Sequence, residues 1–528
     1  MSKNLVRRKF MAASMVLGVV PALLSGQAES PARPGVFPVG RFGAAGDGVR
    51  MDTRAVQAAV DACAKAGGGT VYFPAGRYLT GTIYLKSNVT MHLDAGAVLL
   101  GSKNLQDYPA TVPAFRSYTD NYTEKSLLYG EKIENVSIEG RGAIDGQGAS
   151  FEGPYKVRPY MFRLIQCRNV SFQGVTLKDS PMWGLHILAC DDVDIQGIAI
   201  HSRVNRNNDG IDVDCCERVR ISNCEISSED DAIVLKSTAD RPCRNITITN
   251  CVLSSYCNAL KMGTESNGGF ENIAISNCTI YETRLSGIAL EIVDGGVMDH
   301  IIVSGITIQK VGTPIFIRLG NRARPFEAGG KQPGMGAMRN VLIRDVLATG
   351  ASKIGCAVAG LPGHAIEGLV LDNIRLTFEG GGKKEDARRE ISEFPDKYPE
   401  HSMFGTLPAY AFYCRHVKDL SLRNIALRFD QPEERPAMVC DDVQSLDLVG
   451  SEFSSLPEGE PSILLNQVKD AFLHGNRVGT ERRAFVQVSG EHSAGIRITG
   501  NDLSKARKPV EVSAGVPGGA VLIGQGQE

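Results

Sequence analysis

The chain has 528 residues, with 57 Lys+Arg against 59 Asp+Glu, and 43% of it is hydrophobic. That apolar content can fill a large core and excludes general disorder, while a nearly neutral balance lacks the basic face that nucleic-acid binding needs. The 58 glycines and single tryptophan point to a chain of many turns.

Lys3, Arg7, Arg8 and Lys9 precede an apolar run, Met11–Leu24, and the small-residue stretch Gly26-Gln27-Ala28. Basic, apolar and small regions in that order read as a secretory signal over residues 1–28. The pair Arg7-Arg8 resembles a twin-arginine export motif, and the run is shorter than the ~20 residues a membrane span requires. The expected product is exported to the periplasm or the medium, mildly acidic, off the membrane and monomeric. All 13 cysteines come after Ala28. Their odd number, and positions that look like core positions of a repeat, suggest buried free thiols. The absence of any Cys-x-x-Cys pair gives no reason to expect zinc.

Asp52-Thr53 is positioned to cap a helix over Arg54–Ala66. Val56, Ala59, Val60 and Cys63 fall at i, i+3, i+4 and i+7, one apolar face. Gly67-Gly68-Gly69 ends it, and Thr70-Val71-Tyr72-Phe73 begins a strand.

Beyond this helix the chain is dominated by a repeat. Val219-Arg-Ile-Ser-Asn-Cys224 recurs as Ile246-Thr-Ile-Thr-Asn-Cys251 and Ile273-Ala-Ile-Ser-Asn-Cys278, at a spacing of 27 residues. Related segments begin at Val170, Val193, Ile301, Leu369, Leu420, Leu446 and Ile496. Each alternates apolar and polar residues, the period of a strand with one buried face, and ends in Asn or Gly, where a turn is needed. Units this short cannot bury an apolar face alone, but stacked at ~4.8 Å each coil pairs with the next. The predicted fold over residues 36–528 is therefore all-β, a single-stranded parallel β-helix, with the N-terminal helix covering its first coil. Asn223, Asn250 and Asn277 would form one ladder and Cys224, Cys251 and Cys278 another.

Two segments depart from the repeat: Asn207-Asn208-Asp209-Gly210-Ile211-Asp212 and Glu229-Asp230-Asp231-Ala232-Ile233-Val234-Leu235-Lys236-Ser237. Aligning Ile211 with Ile233, and Val213 with Leu235, sets Asp209 over Asp231 with Asp230 beside them. Three close carboxyl groups repel, which raises at least one pKa. One protonated acid beside ionised carboxylates is what glycoside hydrolysis requires. An exposed Asp-Gly corner and a calcium site are the competing readings of the same residues.

Together these motifs resemble glycoside hydrolase family 28, the polygalacturonase-like enzymes. The pattern Asn208-Asp209-Gly210-x-Asp212, then Asp230-Asp231-x-Ile233 one coil on, carries the resemblance. The N-terminal stretch Gly46-Asp47-Gly48 through Phe73-Pro74-Ala75-Gly76 also looks like that of pectin-degrading β-helix proteins. The resemblance implies a right-handed β-helix and an inverting hydrolase of pectic polysaccharides or oligosaccharides that needs no metal or cofactor. It implies Asp230 as general acid, with Asp209 and Asp231 holding and deprotonating the attacking water. The family's Gly-His-Gly is replaced by Cys257-Asn258-Ala259, and its Arg-Ile-Lys by Gly287-Ile288-Ala289-Leu290-Glu291. Asn258, one coil beyond Asp231, takes the histidine's slot. A missing Arg/Lys clamp points away from ordinary endo-cleavage of polygalacturonate, toward exo or rhamnogalacturonan-type action. Asn208, Asn258, Lys261, Glu291, Arg318 and Arg322 are the expected substrate-binding residues, and Trp183 is a candidate sugar platform beside His186. A non-catalytic carbohydrate-binding β-helix and a polysaccharide lyase using Lys261 as base are the alternatives.

The longest interruption, Glu379–Ala409, holds Gly380-Gly381-Gly382, a charged patch and Tyr398. A loop of this length in a compact fold is usually functional, and it is expected to face substrate.

Overall fold

The computed structural model describes residues 35–153 and 157–524; the predicted leader lies outside the described residues. Helix α1 (Thr53–Lys65) buries Val56, Ala59, Val60 and Cys63, the face its periodicity predicts. It lies against the strands Val36–Pro38 and Gly69–Phe73 and so covers the first coil. Asp52 does not cap it through its side chain. Its carboxylate instead accepts from the Ala45 and Gly46 amides at 2.7 and 3.0 Å, which fastens the preceding segment across the helix start.

Among the described residues forty strands form one continuous sheet, each pairing in parallel with the strand one coil away. Six of them position the site: β1 (Leu185–Leu188), β2 (Ile211–Asp214), β3 (Ile233–Ser237), β4 (Leu260–Ser266), β5 (Thr279–Ile292) and β6 (Val297–Leu319). Leu185, Ile211, Ile233, Leu260, Ile288 and Ile315 stack in register and are buried in the core. The next residue of each strand points the other way. That outward row reads His186, Asp212, Val234, Lys261, Ala289 and Phe316.

The asparagine ladder forms where the repeat predicts it. Asn223, Asn250 and Asn277 have φ of 57°, 56° and 54°. This is the left-handed region that asparagine tolerates better than most residues. The Asn250 amide donates to Asn223 Oδ1 at 3.4 Å. Cys224, Cys251 and Cys278 come next in each copy, buried, and none of the 13 cysteines is bridged.

Three insertions leave this framework on the side of the outward row: residues 102–125, 320–336 and 381–411. The last is packed against the body. Met403, Phe404, Leu407 and Ala409 cluster with Phe316, Ala357 and Tyr413 of successive coils. Burial of such side chains contributes roughly 1.5–3 kcal/mol each for the larger ones. Its two ends are fastened by a fully buried ion pair, Arg435–Glu433 at 2.8 Å. Glu433 accepts from the Gly382 amide at 3.0 Å, and Arg435 donates to the carbonyls of Leu407 and Ala409 at 2.9 and 3.3 Å.

Asn250→Ala is expected to destabilise the coil stack by about 1–2 kcal/mol through the left-handed backbone, and Asn250→Gly to recover most of that loss. Urea unfolding midpoints of the two variants check this.

Candidate active site

One turn position recurs along the coils with unusual residues. Gly184 N donates to the Asp209 carbonyl, Gly210 N to that of Asp231 and Ala232 N to that of Asn258, each at 2.9 Å. Trp183, Asp209, Asp231 and Asn258 therefore stack one above another, with Asp230 immediately before Asp231. Glycine is required after Asp209, because a Cβ at Gly210 would lie 2.4 Å from the Ala232 carbonyl oxygen.

An oxygen from each of Asp209, Asp230 and Asp231 lies within 4.8 Å of the others. Two lysines from neighbouring coils neutralise the group. Lys236 Nζ sits 3.2 Å from both Asp209 and Asp212 and 3.9 Å above the Trp183 ring. Lys261 Nζ lies 3.0 Å from Asp231 Oδ2, while Asp231 Oδ1 accepts from Asn258 Nδ2 at 2.8 Å and Asn258 N at 3.2 Å. Asp230 is held more lightly. It accepts from the Asp231 amide at 2.9 Å and from Asn207 Nδ2 at 3.5 Å, and among the described residues no cation is within ion-pair distance.

These environments separate the carboxyl groups. Burial lifts Asp209 well above the usual carboxylate range, with Lys236 opposing and Asp212, Asp230 and Asp231 adding to the rise. Burial and the neighbouring Asp231 charge also raise Asp230. Asp212 is pushed up to about 7 by burial against the pull of Lys236. For Lys261, burial works against the charge, but Asp231, Tyr398 and Glu291 outweigh it and keep the ammonium protonated. The site thus offers protonated acid and ionised carboxylate side by side.

The expected substrate-binding residues divide. Lys261 lines the cavity as predicted. Asn258 is 4% exposed and is spent on Asp231 and on the Ser286 amide, so it orients a carboxylate. Asn208 is fully buried beneath the turn. Its Oδ1 accepts from Val204 and Asn205, and its Nδ2 donates to Ser180 and Met182 carbonyls, so it shapes the Asp209 corner and does not reach the cavity. Glu291 lies behind Lys261, 4.0 Å away and 1% exposed. Arg318 does not reach the cleft either. Its guanidinium donates to the Ala359, Gly360, Glu393 and Phe394 carbonyls, which staples the 381–411 insertion to the body. Arg322 does not line the cavity; it is paired to Asp294 at 2.5 Å behind the wall that Arg324 forms. His186 is packed away in the core of its corner, 3.2 Å from Asp214 and stacked on Tyr160. Trp183 does line the cavity.

The insertions supply what the repeat register could not indicate. Tyr118 and Tyr122 come from 102–125, Arg324 from 320–336 and Tyr398 from 381–411. Tyr398 stands near Lys261 and Arg322, with its ring 5.7 and 5.4 Å from them. Lys236 is visible in the sequence as the outward residue after Leu235, but its two partners lie on another coil. With the carboxylates these residues enclose about 240 Å³. The Asp209–Asp230–Asp231 set also has the composition of a hard-cation site. Two ammonium groups already within 3.2 Å of it supply that charge, so the donor set does not fit a resident metal well.

Fold and site together define a parallel β-helix with a lysine-flanked cluster of three carboxyl groups on its outer face. The chain belongs to the glycosyl hydrolases family 28, whose model matches residues 63–397, and it is a glycoside hydrolase. It is 29% identical over 407 residues to a probable polygalacturonase of Vitis vinifera, across 70% of this chain and 82% of that one. It is 27% identical to an exo-poly-alpha-D-galacturonosidase of Dickeya chrysanthemi, across 38% and 42% of the two chains. A hyperthermoactive exopolygalacturonase from Thermotoga maritima superposes with a TM-score of 0.59 at 22% identity, covering 75% of this chain and 92% of that one. That likeness agrees with a right-handed β-helix.

Glu291 illustrates a pH effect of the site. Its ordinary value is 4.5, and burial pushes it up to about 8 against the pull of Lys261. Between those values the folded chain keeps a proton that the unfolded chain has lost, so this group's contribution to stability falls as pH rises. Glu291→Gln is expected to remove that slope and gain stability over wild type at about pH 8 but not near pH 4. Urea midpoints at the two pH values are the check.

Proposed function

We propose that this hydrolase cleaves pectic polysaccharide of the galacturonan or rhamnogalacturonan type, from chain ends or on oligosaccharides, with inversion at the anomeric carbon. The observation that carries it is the Asp209–Asp230–Asp231 cluster, in which one carboxyl is free of cations and two are tied to lysines. In this reading Asp230 donates its proton to the glycosidic oxygen as the bond from the anomeric carbon breaks. A water held by Asp209 and Asp231 attacks that carbon, and its proton passes to this pair, each member of which is tied to a lysine.

Exo action is supported by the cavity's size and walls. At about 240 Å³ it is smaller than the roughly 300–1,000 Å³ of pockets that take drug-sized ligands. Insertions wall it, as suits a chain end. The close oxygens, within 4.8 Å, fall below the roughly 6.5–9.5 Å usual between the carboxyl groups of inverting enzymes. In this reading inversion rests on a water held jointly by Asp209 and Asp231, opposite the Asp230 acid. A lyase reading is disfavoured because Lys261, protonated against Asp231, cannot abstract a proton. The leader-like sequence of residues 1–28, basic, then apolar, then small, supports action outside the cytoplasm.

Asp230→Asn is expected to lower turnover of pectic oligosaccharides about 10²–10⁴-fold without loss of folding. Proton NMR of the first-formed product should show inverted configuration. Retained configuration would overturn the water assignment, and unchanged turnover would overturn Asp230 as the acid. Because burial and Asp231 raise Asp230, kcat/KM is expected to hold through mildly acidic pH. It should fall as pH rises past the usual carboxylate range and Asp230 loses its proton.

A further inference from the structure

The cations of the cavity are already committed. Lys236 is shared by Asp209 and Asp212, each at 3.2 Å. Lys261 is on Asp231 at 3.0 Å. Arg324 donates to Glu265 and to Asp294, each at 2.9 Å. Arg322, just behind the wall, is held by both oxygens of Asp294 at 2.9 and 2.5 Å. Among the described residues that line the cavity, no lysine or arginine lacks a carboxylate of this chain.

Asp209, Asp230, Asp231 and Glu265 line the cavity with Lys236, Lys261 and Arg324, and of these acids only Asp230 has no cation beside it among the described residues. Glu265 stays ionised: burial disfavours its charge, but Lys236, Arg324 and Arg322 together hold it well below the usual carboxylate range. A substrate carboxylate would therefore have to displace an internal ion pair and sit beside like charge. Like-charge juxtaposition in a desolvated contact is strongly unfavourable, and so is a buried charge left without its partner. The other walls are Trp183, Tyr118, Tyr122 and Tyr398, aromatic surfaces with polar tips that suit the C–H faces and hydroxyls of a sugar ring.

We propose that the cavity binds a neutral sugar, one without a carboxylate on its ring, and that the internal pairing of Lys236, Lys261 and Arg324 excludes a uronate from it. The inference rests on the hydrolase reading above but reads a different property of the same site. The sugar released would be neutral even where the rest of the polymer is acidic.

The test compares two ligands that differ in one group. Methyl α-D-galactopyranoside and its 6-carboxylate are titrated into wild-type protein at constant ionic strength, and binding is measured calorimetrically or by competition. The neutral glycoside is expected to bind at least about tenfold more tightly. Equal or tighter binding of the carboxylate would overturn the proposal. Oligogalacturonides and the same oligosaccharides reduced at their carboxyl groups are then compared as substrates, with the reduced series expected to turn over faster. A preference for the unreduced series also overturns the proposal. If neither series is cleaved, the galacturonan form of the hydrolase reading fails while the binding ratio still decides the charge preference. Glu265→Gln separates this role from a structural one. It leaves Arg324 with Asp294 alone, so discrimination against the carboxylate should narrow several-fold; an unchanged ratio would overturn the part assigned to Arg324.

Discussion

The interaction on which the rest depends is the parallel hydrogen bonding of one coil to the next. It sets equivalent residues at strand spacing, about 4.8 Å apart, and it is indifferent to what those residues are. Apolar residues at an inward position become a continuous core, as Leu185, Ile211, Ile233, Leu260, Ile288 and Ile315 do. Carboxylates at a turn position become a cluster whose charges cannot move apart. Asp209 over Asp231 is the second case, and the coil bonds that hold the Ile211 row also force that contact.

That forced contact explains the surrounding chemistry. Lys236 and Lys261 come from neighbouring coils and lie against Asp209 and Asp231. They leave Asp230 without a cation, so the three acids differ in electrostatic setting although they share one backbone pattern. The carboxylates proposed to carry hydrolysis occupy the positive charges that would otherwise be open to an acidic sugar. In that proposal mechanism and substrate charge are coupled through these shared ion pairs.

The β-helix supplies registration and the insertions supply enclosure. A bare outer face of stacked strands is a shallow surface. Residues 102–125, 320–336 and 381–411 raise walls on it, and the third is fixed by an apolar cluster and by buried arginines. Arg318 and Arg435 each donate to several backbone carbonyls of the 381–411 insertion or its ends. Loop carbonyls buried without such donors would be costly, which accounts for two large cations lying inside an otherwise apolar docking surface.

What was legible in the chain was whatever repeats with a period. The alternation of Val219–Ser222 and its copies, the Asn-Cys steps 27 residues apart and the apolar face of α1 determined the coil, its register and the helix that covers it. Register alone then placed Asp209 over Asp231, Asn258 one coil on and Lys261 beside them, because position in a repeat translates directly into position in space. Residues whose location depends on aperiodic segments were not legible. Tyr118, Tyr122 and Arg324 reach the cavity from insertions with no register. Arg318 lies on a coil in the predicted place, yet its guanidinium turns to backbone carbonyls that the insertion brings to it. Asn208 and Asn258 were recognisable as motif positions, but their partners decided that both hold the site together and neither opens onto the cavity. The sequence by itself determined which residues lie above one another; tertiary structure decided which charges are satisfied internally, because that depends on side chains from distant coils and loops meeting in one volume.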